Sequence, residues 1–411
     1  MLNSATNASN GSATVERALR RRILGRGPIP FAEFMEIALY HPRGGYYITS
    51  ARVGRSGDFT TSPEIHPAFG ALVGRFVAHV WRAMGTPHHF TIVEIGGGTG
   101  KLAKDLLDTA RRGDPLFYES LKYVMGEVSP AMRRCQRALL NEAHGGKVIW
   151  RQLETHPGWP VVGCVISNEV VDALPFHRVV MQSARLLEMC VGLNGNGFVQ
   201  VLRTPGRAVS RYLETVGAAF AEGQVVEARP AAGDWIRAVA SKIARGCVLT
   251  VDHGYESNEL YGERFPRGTL VCYSRATMSD DPLQRPGLQD ISARVDFTAL
   301  KRHGAAAGLA ALPLITQRGF LRQLGMGQLL GEIRSARIPA EERAKERRAL
   351  QALLNPEGLG NCKVLVQHKG LSQEEVSILA DVERARGSLA LDLTRDAPPK
   401  RSWQEWRGTE V

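Results

Sequence analysis

The sequence contains no apolar run of the roughly 18–20 residues that a membrane-spanning helix needs, so no membrane insertion is expected. It also contains no Cys-x-x-Cys pair. Its six cysteines (Cys135, Cys164, Cys190, Cys247, Cys272, Cys362) stand far apart, which argues against a zinc site and against a disulfide scaffold. Several lie in apolar strand-like runs, where cysteine serves as a small buried hydrophobe, and a reducing cytoplasm fits. Charge is present without a block. The net charge is +11, an excess that attracts nucleic acid, anionic membrane or acidic protein. Yet no Lys/Arg run is interleaved with aromatics, and Arg20-Arg21-Arg22 and Arg343–Arg348 read as solvated helix faces, so nucleic acid is not the expected partner. The first fourteen residues, MLNSATNASNGSAT, lack both the basic and apolar regions of a secretory signal and the arginines of a transit peptide. A flexible tail is expected over 1–14.

What is present centres on Thr91–Lys101, TIVEIGGGTGK. A short β-prone run leads into Gly96, Gly98 and Gly100, and Leu102–Leu107 starts a helix. A strand, a glycine turn and a helix form the opening βα unit of a doubly wound sheet. The dinucleotide fingerprint G-x-G-x-x-G would need glycine at 101, where Lys101 stands. The match is instead to E-x-G-x-G-x-G, with Glu94 ahead of the glycines. That form resembles the first motif of class I S-adenosylmethionine (SAM) methyltransferases, whose ligand has no pyrophosphate to cradle.

Along the chain, Val15–Leu24 and Phe31–Leu39 read as helices, and residues 38–70 as a long Gly-, Pro- and aromatic-rich loop. Ala68–Met84 is helical. Strands are expected at Leu121–Glu127, Lys147–Trp150, Gly163–Ser167, Cys247–Val251 and Cys362–Gln367, with helices at Ala131–Glu142 and Ala232–Ala244. This alternation predicts an α/β fold, a mostly parallel sheet with helices on both faces. Asn194-Gly195-Asn196-Gly197 marks a hairpin inside a β-rich insertion at about 178–230. A second insertion, at about 256–297, reads as irregular. Phe320–Leu354 is helical and basic. The implied organisation is a helical, cofactor-covering segment over 15–90, a core over 91–370 and an appended tail over 371–411.

In an open parallel sheet, ligands bind beyond the carboxyl ends of the strands. Glu127 ends the second strand, where a carboxylate can take two ribose hydroxyls or simply be an exposed acid. Gln152 and Leu153 follow the third strand, a position bordering an adenine. Asn168, Glu169 and Asp172 end the fourth. Two carboxylates there could orient a guanidinium or amine, or Asn168 or Asp172 could cap a helix. In the loop before the first strand, Gly57–Glu64 concentrates short polar side chains; Ser62 reads as a helix cap with Pro63 behind it.

ALYHPRGGYY (38–47), GDFTTSPEI (57–65), VEIGGGTG, GEVSP (126–130), SNEVVDALPFHR (167–178), VDHGY (251–255), DDPLQRPGLQDISARVDF (280–297) and GNCKVLVQ (360–367) occur in one order. Together they resemble the MidA-like family of SAM-dependent methyltransferases, over about residues 17–370. That family includes the mitochondrial protein arginine methyltransferase that helps assemble respiratory complex I. The resemblance implies a class I, Rossmann-like methyltransferase with SAM as cofactor; no metal site is expected. It implies that Glu94, Gly96, Gly98 and Gly100 line the SAM pocket and that Glu127 takes the ribose. Asp58, Thr60, Thr61 and Ser62 would approach the donor. Asn168, Glu169 and Asp172 would face the transferred methyl and the acceptor. It further implies a protein substrate, with arginine the family's acceptor and a respiratory-complex subunit among the candidates, and a mitochondrial matrix location in a eukaryote. A homo-oligomer stays open. The chain departs from the pattern at Gly97 (usually Pro), Val170 and Val171 (usually aromatics), His253 (usually Tyr), Arg229 (usually Ser) and Arg294 (usually His). Those departures lie mainly on the acceptor side. They keep a small-molecule acceptor open, as does a SAM-binding assembly factor with little turnover; an RNA acceptor rests only on the charge.

Overall fold

The computed structural model describes residues 2–50, 57–58, 60–151, 159–195, 197–274 and 277–385. In chain order its first elements are α1 (Leu2–Arg26), α2 (Phe31–Tyr40), α3 (Ser62–Ile65), α4 (Ala68–Ala83), β1 (Phe90–Ile95), α5 (Lys101–Gly113), α6 (Pro115–Ser120), β2 (Leu121–Gly126), α7 (Pro130–His144), β3 (Val148–Trp150) and β4 (Val161–Asn168). An antiparallel sheet follows from β5 (His177–Gln182), β6 (Arg185–Asn194), β7 (Gly197–Arg203) and β8 (Val225–Ala228), with α8 (Arg207–Val216) between the last two. Then come α9 (Pro230–Ser241) and β9 (Ile243–Asp252).

The central sheet runs β3-β2-β1-β4-β9 with all neighbours parallel. The strand Lys363–Lys369 pairs antiparallel with β9 on the far side. This is the expected α/β architecture, with the strand order reversing between β1 and β4. Side chains alternate between the two faces, as a period of two requires. Ile92, Tyr123, Ile166 and Leu249 enter the core under α4 and α5. Val93, Val124, Val165 and Val248 enter the core under α9. A sheet buried on both faces explains why these strands read as near-continuous apolar runs. Helices α4 and α5 pack closely because Gly70 and Gly74 face Asp105 and Leu106; a Cβ on Gly70 would lie 2.7 Å from the Cβ of Asp105.

Three expectations are corrected. Residues 2–14 are not a tail: α1 begins at Leu2. The polar composition gives no apolar stripe, but backbone contact replaces it. A Cβ on Gly44 would sit 2.3 Å from the Gly11 carbonyl oxygen, and Ser12 Oγ donates to the Pro286 carbonyl at 3.1 Å. The second insertion is not irregular throughout, since Val271–Ser274 pairs antiparallel with Thr277–Ser279 and Asp290–Ser292. Ser62 does not cap α3. Thr61 holds that position without a side-chain bond, and the buried Ser62 hydroxyl donates to Gln317 Oε1 at 2.9 Å. The hairpin forms as expected, Asn194 pairing with Gly197. The tail beyond 371 contains the helix Gln373–Ala380.

α1, α2 and the 271–292 sheet share one core, with Leu19, Phe34, Met35, Phe176, Cys272 and Ile291 among its buried members. This second body roofs the carboxyl ends of β1, β2, β4 and β9 and leaves a cavity between.

Candidate active site at the carboxyl ends of the sheet

Register places the site. Ile95 pairs with Gly126 on one side and Ser167 on the other, and Asn168 pairs with Val251. The residues after β1, β2, β4 and β9 therefore emerge along one edge. A cavity of about 880 Å³ lies over that edge, the size of a cofactor-plus-substrate site.

Its donor-side wall includes Glu94, Gly96, Gly97, Gly98, Glu127, Asn168, Asp58, Thr60 and Thr61. Gly98 has φ 51°, a left-handed conformation that favours glycine. A Cβ built on it meets nothing within 4 Å, so the space before this backbone is cavity. Gly100 and Ser62 are not on the wall: Gly100 abuts Gln136, and Ser62 lies behind, its N–H donating to Glu169 Oε1 at 3.3 Å. Gln152 and Leu153 lie outside the described residues.

Glu94 is buried on β1 and accepts from Tyr123 Oη at 2.8 Å. Burial pushes its carboxyl up to about 7. Glu127 accepts from the Ser129 N–H at 2.8 Å and from Gln136 Nε2 at 3.1 Å; those bonds fix its orientation on the cavity wall. Burial raises this carboxyl too, against those donors. If Glu127 binds the ribose, Glu127→Ala should weaken SAM binding by roughly 1.5–3 kcal/mol, the worth of hydrogen bonds to a charged group. Calorimetry with a parallel melting curve checks this. Unchanged affinity with a collapsed melting temperature would make Glu127 purely structural.

The turn after β4 is the most constrained part of the site. No helix begins there, so the N-cap reading of Asn168 and Asp172 fails. The turn is held by Asp252, a residue with no role assigned from sequence. Its buried carboxylate accepts from the N–H groups of Val170 (3.1 Å), Val171 (2.8 Å), Asp172 (3.4 Å) and His253 (2.8 Å). Its sequence signals were an acid ending the apolar run Cys247–Val251 and its place in the VDHGY motif. Asp252→Asn replaces an acceptor-only carboxylate with a group that has a single acceptor oxygen. It should lower the melting temperature by several degrees and depress methyl transfer more than SAM affinity. Differential scanning calorimetry and a transfer assay on the same sample separate the two.

So clamped, Glu169 sits at φ 53°, a strained conformation for a non-glycine residue. Its Oε1 accepts from Asn168 Nδ2 at 3.1 Å. Burial and the neighbouring Asp172 charge push its carboxyl up to about 8. Asp172 is also raised by burial, against the pull of Arg229 and Arg294. His253 Nε2 lies 3.8 Å from Glu169 Oε2, but burial, helped by Arg294, pushes the imidazole down to about 3. The ring is neutral near pH 7 and this contact is no ion pair.

Opposite stand residues that the sequence reading did not single out. Tyr40 and Tyr47 stack with ring centroids 5.5 Å apart. Tyr40 Oη donates to the Ala173 carbonyl at 2.9 Å, and Tyr47 Oη to Asp290 Oδ1 at 2.5 Å. Burial raises Asp290 to about 7. Their sequence signals are the ALYHPRGGYY and QDIS stretches, to which the resemblance assigns no role.

The buried Asn168 Oδ1 has no hydrogen-bond partner among the described residues. An unused acceptor beside a backbone open at Gly98 fits a ligand that brings an N–H donor and lies against the glycine turn. Fold and site together define a class I, Rossmann-like SAM-dependent methyltransferase. The chain belongs to the family described as "Putative S-adenosyl-L-methionine-dependent methyltransferase", whose model matches residues 72–315. A crystal structure from Burkholderia thailandensis, titled a "likely methyl transferase" bound to S-adenosyl-homocysteine, superposes with TM-score 0.80 at 31% identity, covering 90% of this chain and 96% of that one. The Drosophila melanogaster "Protein arginine methyltransferase NDUFAF7 homolog, mitochondrial" is 29% identical over 390 residues, 87% of this chain and 85% of its own length. The human "Protein arginine methyltransferase NDUFAF7, mitochondrial" is 28% identical over 394 residues, 89% and 86% of the two chains. SAM is the methyl donor. No helix among the described residues is long and apolar enough to cross a membrane.

Proposed function

We propose that the protein methylates an arginine side chain of a protein substrate. The observation that carries this reading is the pair Glu169 and Asp172, held at the end of β4 on a cavity wall that also includes the Tyr40–Tyr47 stack and Asp290. A planar cation matches carboxylates in its plane and aromatic rings against its face. The names of the relatives point the same way.

When bound, SAM supplies an electrophilic methyl group on sulfur. Gly96, Gly98 and Asn168 would hold it, with Asp58, Thr60 and Thr61 approaching from the roof and Glu127 taking the ribose. Glu169 and Asp172 would orient the guanidinium and balance its charge, and the Glu169 carboxylate would accept the proton the attacking nitrogen gives up. The enzyme's contribution is positioning and electrostatics, which suits a direct displacement. By the same likeness, a respiratory-complex subunit is the proposed partner and a mitochondrial matrix the proposed location in a eukaryotic source.

The test is incubation with methyl-labelled SAM in a lysate of the source cell. Label in protein, recovered as methylarginine after hydrolysis, is the expected result. Label confined to small molecules, or to RNA surviving protease, would overturn the reading. Tight SAM binding with no label anywhere would favour an assembly factor.

A further inference from the structure

Among the described residues, two cations stand on the cavity wall, and they differ in kind. Lys101 is paired with Glu64 at 2.5 Å. Arg294 also lines the cavity, yet its guanidinium makes no hydrogen bond or ion pair among the described residues. Its backbone is held fast: the Ala293 N–H donates to the Asp172 carbonyl at 3.3 Å and the Val295 N–H to the His253 carbonyl at 2.8 Å. Position 294 is thus pinned between the turn after β4 and the end of β9. Behind it, buried Arg229 is committed to the backbone, donating to the carbonyls of Asp172 and Ala293 at 2.9 Å and of Arg294 at 3.4 Å. Arg229 therefore fixes the frame, and Arg294 presents the charge.

We propose that Arg294 is a specificity-determining residue that binds a carboxylate on the acceptor, next to the group being methylated. This rests on the protein-arginine reading. Within it, Glu169 and Asp172 take the acceptor's cation, and Arg294 takes an acidic side chain flanking it in the substrate. The groups around this pair fit that division. Glu169, Asp172, Asp252 and Asp290 bring four carboxyls from three elements, held toward their protonated forms by burial and able to ionise against an incoming cation; His253 is neutral; burial keeps the Tyr40, Tyr47 and Tyr273 phenols protonated. Arg294 disfavours a bare cation by like-charge repulsion and favours one that arrives with its own anion. A planar fork of N–H donors suits that role, since it can grip a carboxylate through two bonds. Selectivity then comes from an attractive and a repulsive element together.

The experiment is a cycle between ligand charge and residue charge. Short blocked peptides with one central arginine, carrying Glu or Gln at the preceding or following position, are titrated into the S-adenosylhomocysteine-loaded protein. In the wild type, the Glu peptide of at least one position should bind roughly tenfold tighter than its Gln partner, the scale of a charge-assisted hydrogen bond. In Arg294→Gln that ratio should fall to about one, while the Gln peptide binds no worse than to wild type. Arg294→Lys should restore part of the preference. S-adenosylhomocysteine affinity serves as the folding control and should be unchanged in both variants. Equal affinity for Glu and Gln peptides in the wild type, or a preference that survives in Arg294→Gln, overturns the proposal alone. Loss of S-adenosylhomocysteine binding in a normally melting Arg294→Gln assigns the arginine to the donor and also overturns it. If no arginine peptide binds under any condition, the acceptor reading beneath it falls as well.

Discussion

Glu169→Gln should leave SAM affinity nearly unchanged and cut methyl transfer by roughly 100- to 1000-fold, the range seen when one preorganised electrostatic group is removed from a transition state. The substitution keeps shape and removes charge, so what is lost is orientation and charge balance at the acceptor. Stability should move the other way. The folded-state carboxyl titrates at about 8 against an ordinary value of 4.5, so the folded protein keeps a proton that the unfolded chain releases. Glu169 therefore costs stability progressively as pH rises from about 4.5 to about 8, following proton linkage. A glutamine that never ionises should make the protein at least as heat-stable as wild type at pH 8. Wild-type transfer should climb with pH as this carboxyl ionises, and the variant should lose that limb. A variant that melts early yet transfers at the wild-type rate per folded molecule would make Glu169 structural.

Gly98→Val should reduce SAM binding by at least ~100-fold, or about 2.7 kcal/mol. No protein atom lies within 4 Å of the new Cβ, so the side chain enters the cavity where the donor must approach the backbone. The same residue has φ 51°, which costs a non-glycine residue about 1–2 kcal/mol and a β-branched one more. The melting temperature should fall by a few degrees, far less than an unfolded variant would show. Gly98→Ala, with less volume in the cavity, should bind at an intermediate level. Calorimetry with SAM and S-adenosylhomocysteine measures both. Wild-type affinity in the valine variant would mean that the donor does not meet this turn, and binding of a nicotinamide dinucleotide instead would replace the donor assignment altogether.

The sequence by itself determined the sheet. Each core strand is an apolar run, the first ended by the glycine turn and the others by a polar residue, and the glycine spacing after Glu94 separates this pocket from a dinucleotide site. Glu127, Asn168, Glu169 and Asp172 could be named in advance because each stands at a strand end, and topology sends all such ends to one edge. What only the tertiary structure decided depends on long-range contact. The turn at 169–172 resembles a helix start in sequence, yet Asp252, eighty residues later, takes its N–H groups and holds it open. Ser62 has the composition of a cap, but Gln317 claims its hydroxyl. The stretch before Val15 looks like a tail until Gly44 offers Gly11 a backbone to lie on. In sequence Arg294 is a departure from the family pattern without an assigned contact; its place on the cavity wall follows from two backbone hydrogen bonds of its neighbours to segments about 40 and 120 residues away. Local pattern encodes periodicity and strand ends. It does not encode which distant donor meets which acceptor, and in this protein those pairings shape the acceptor half of the site.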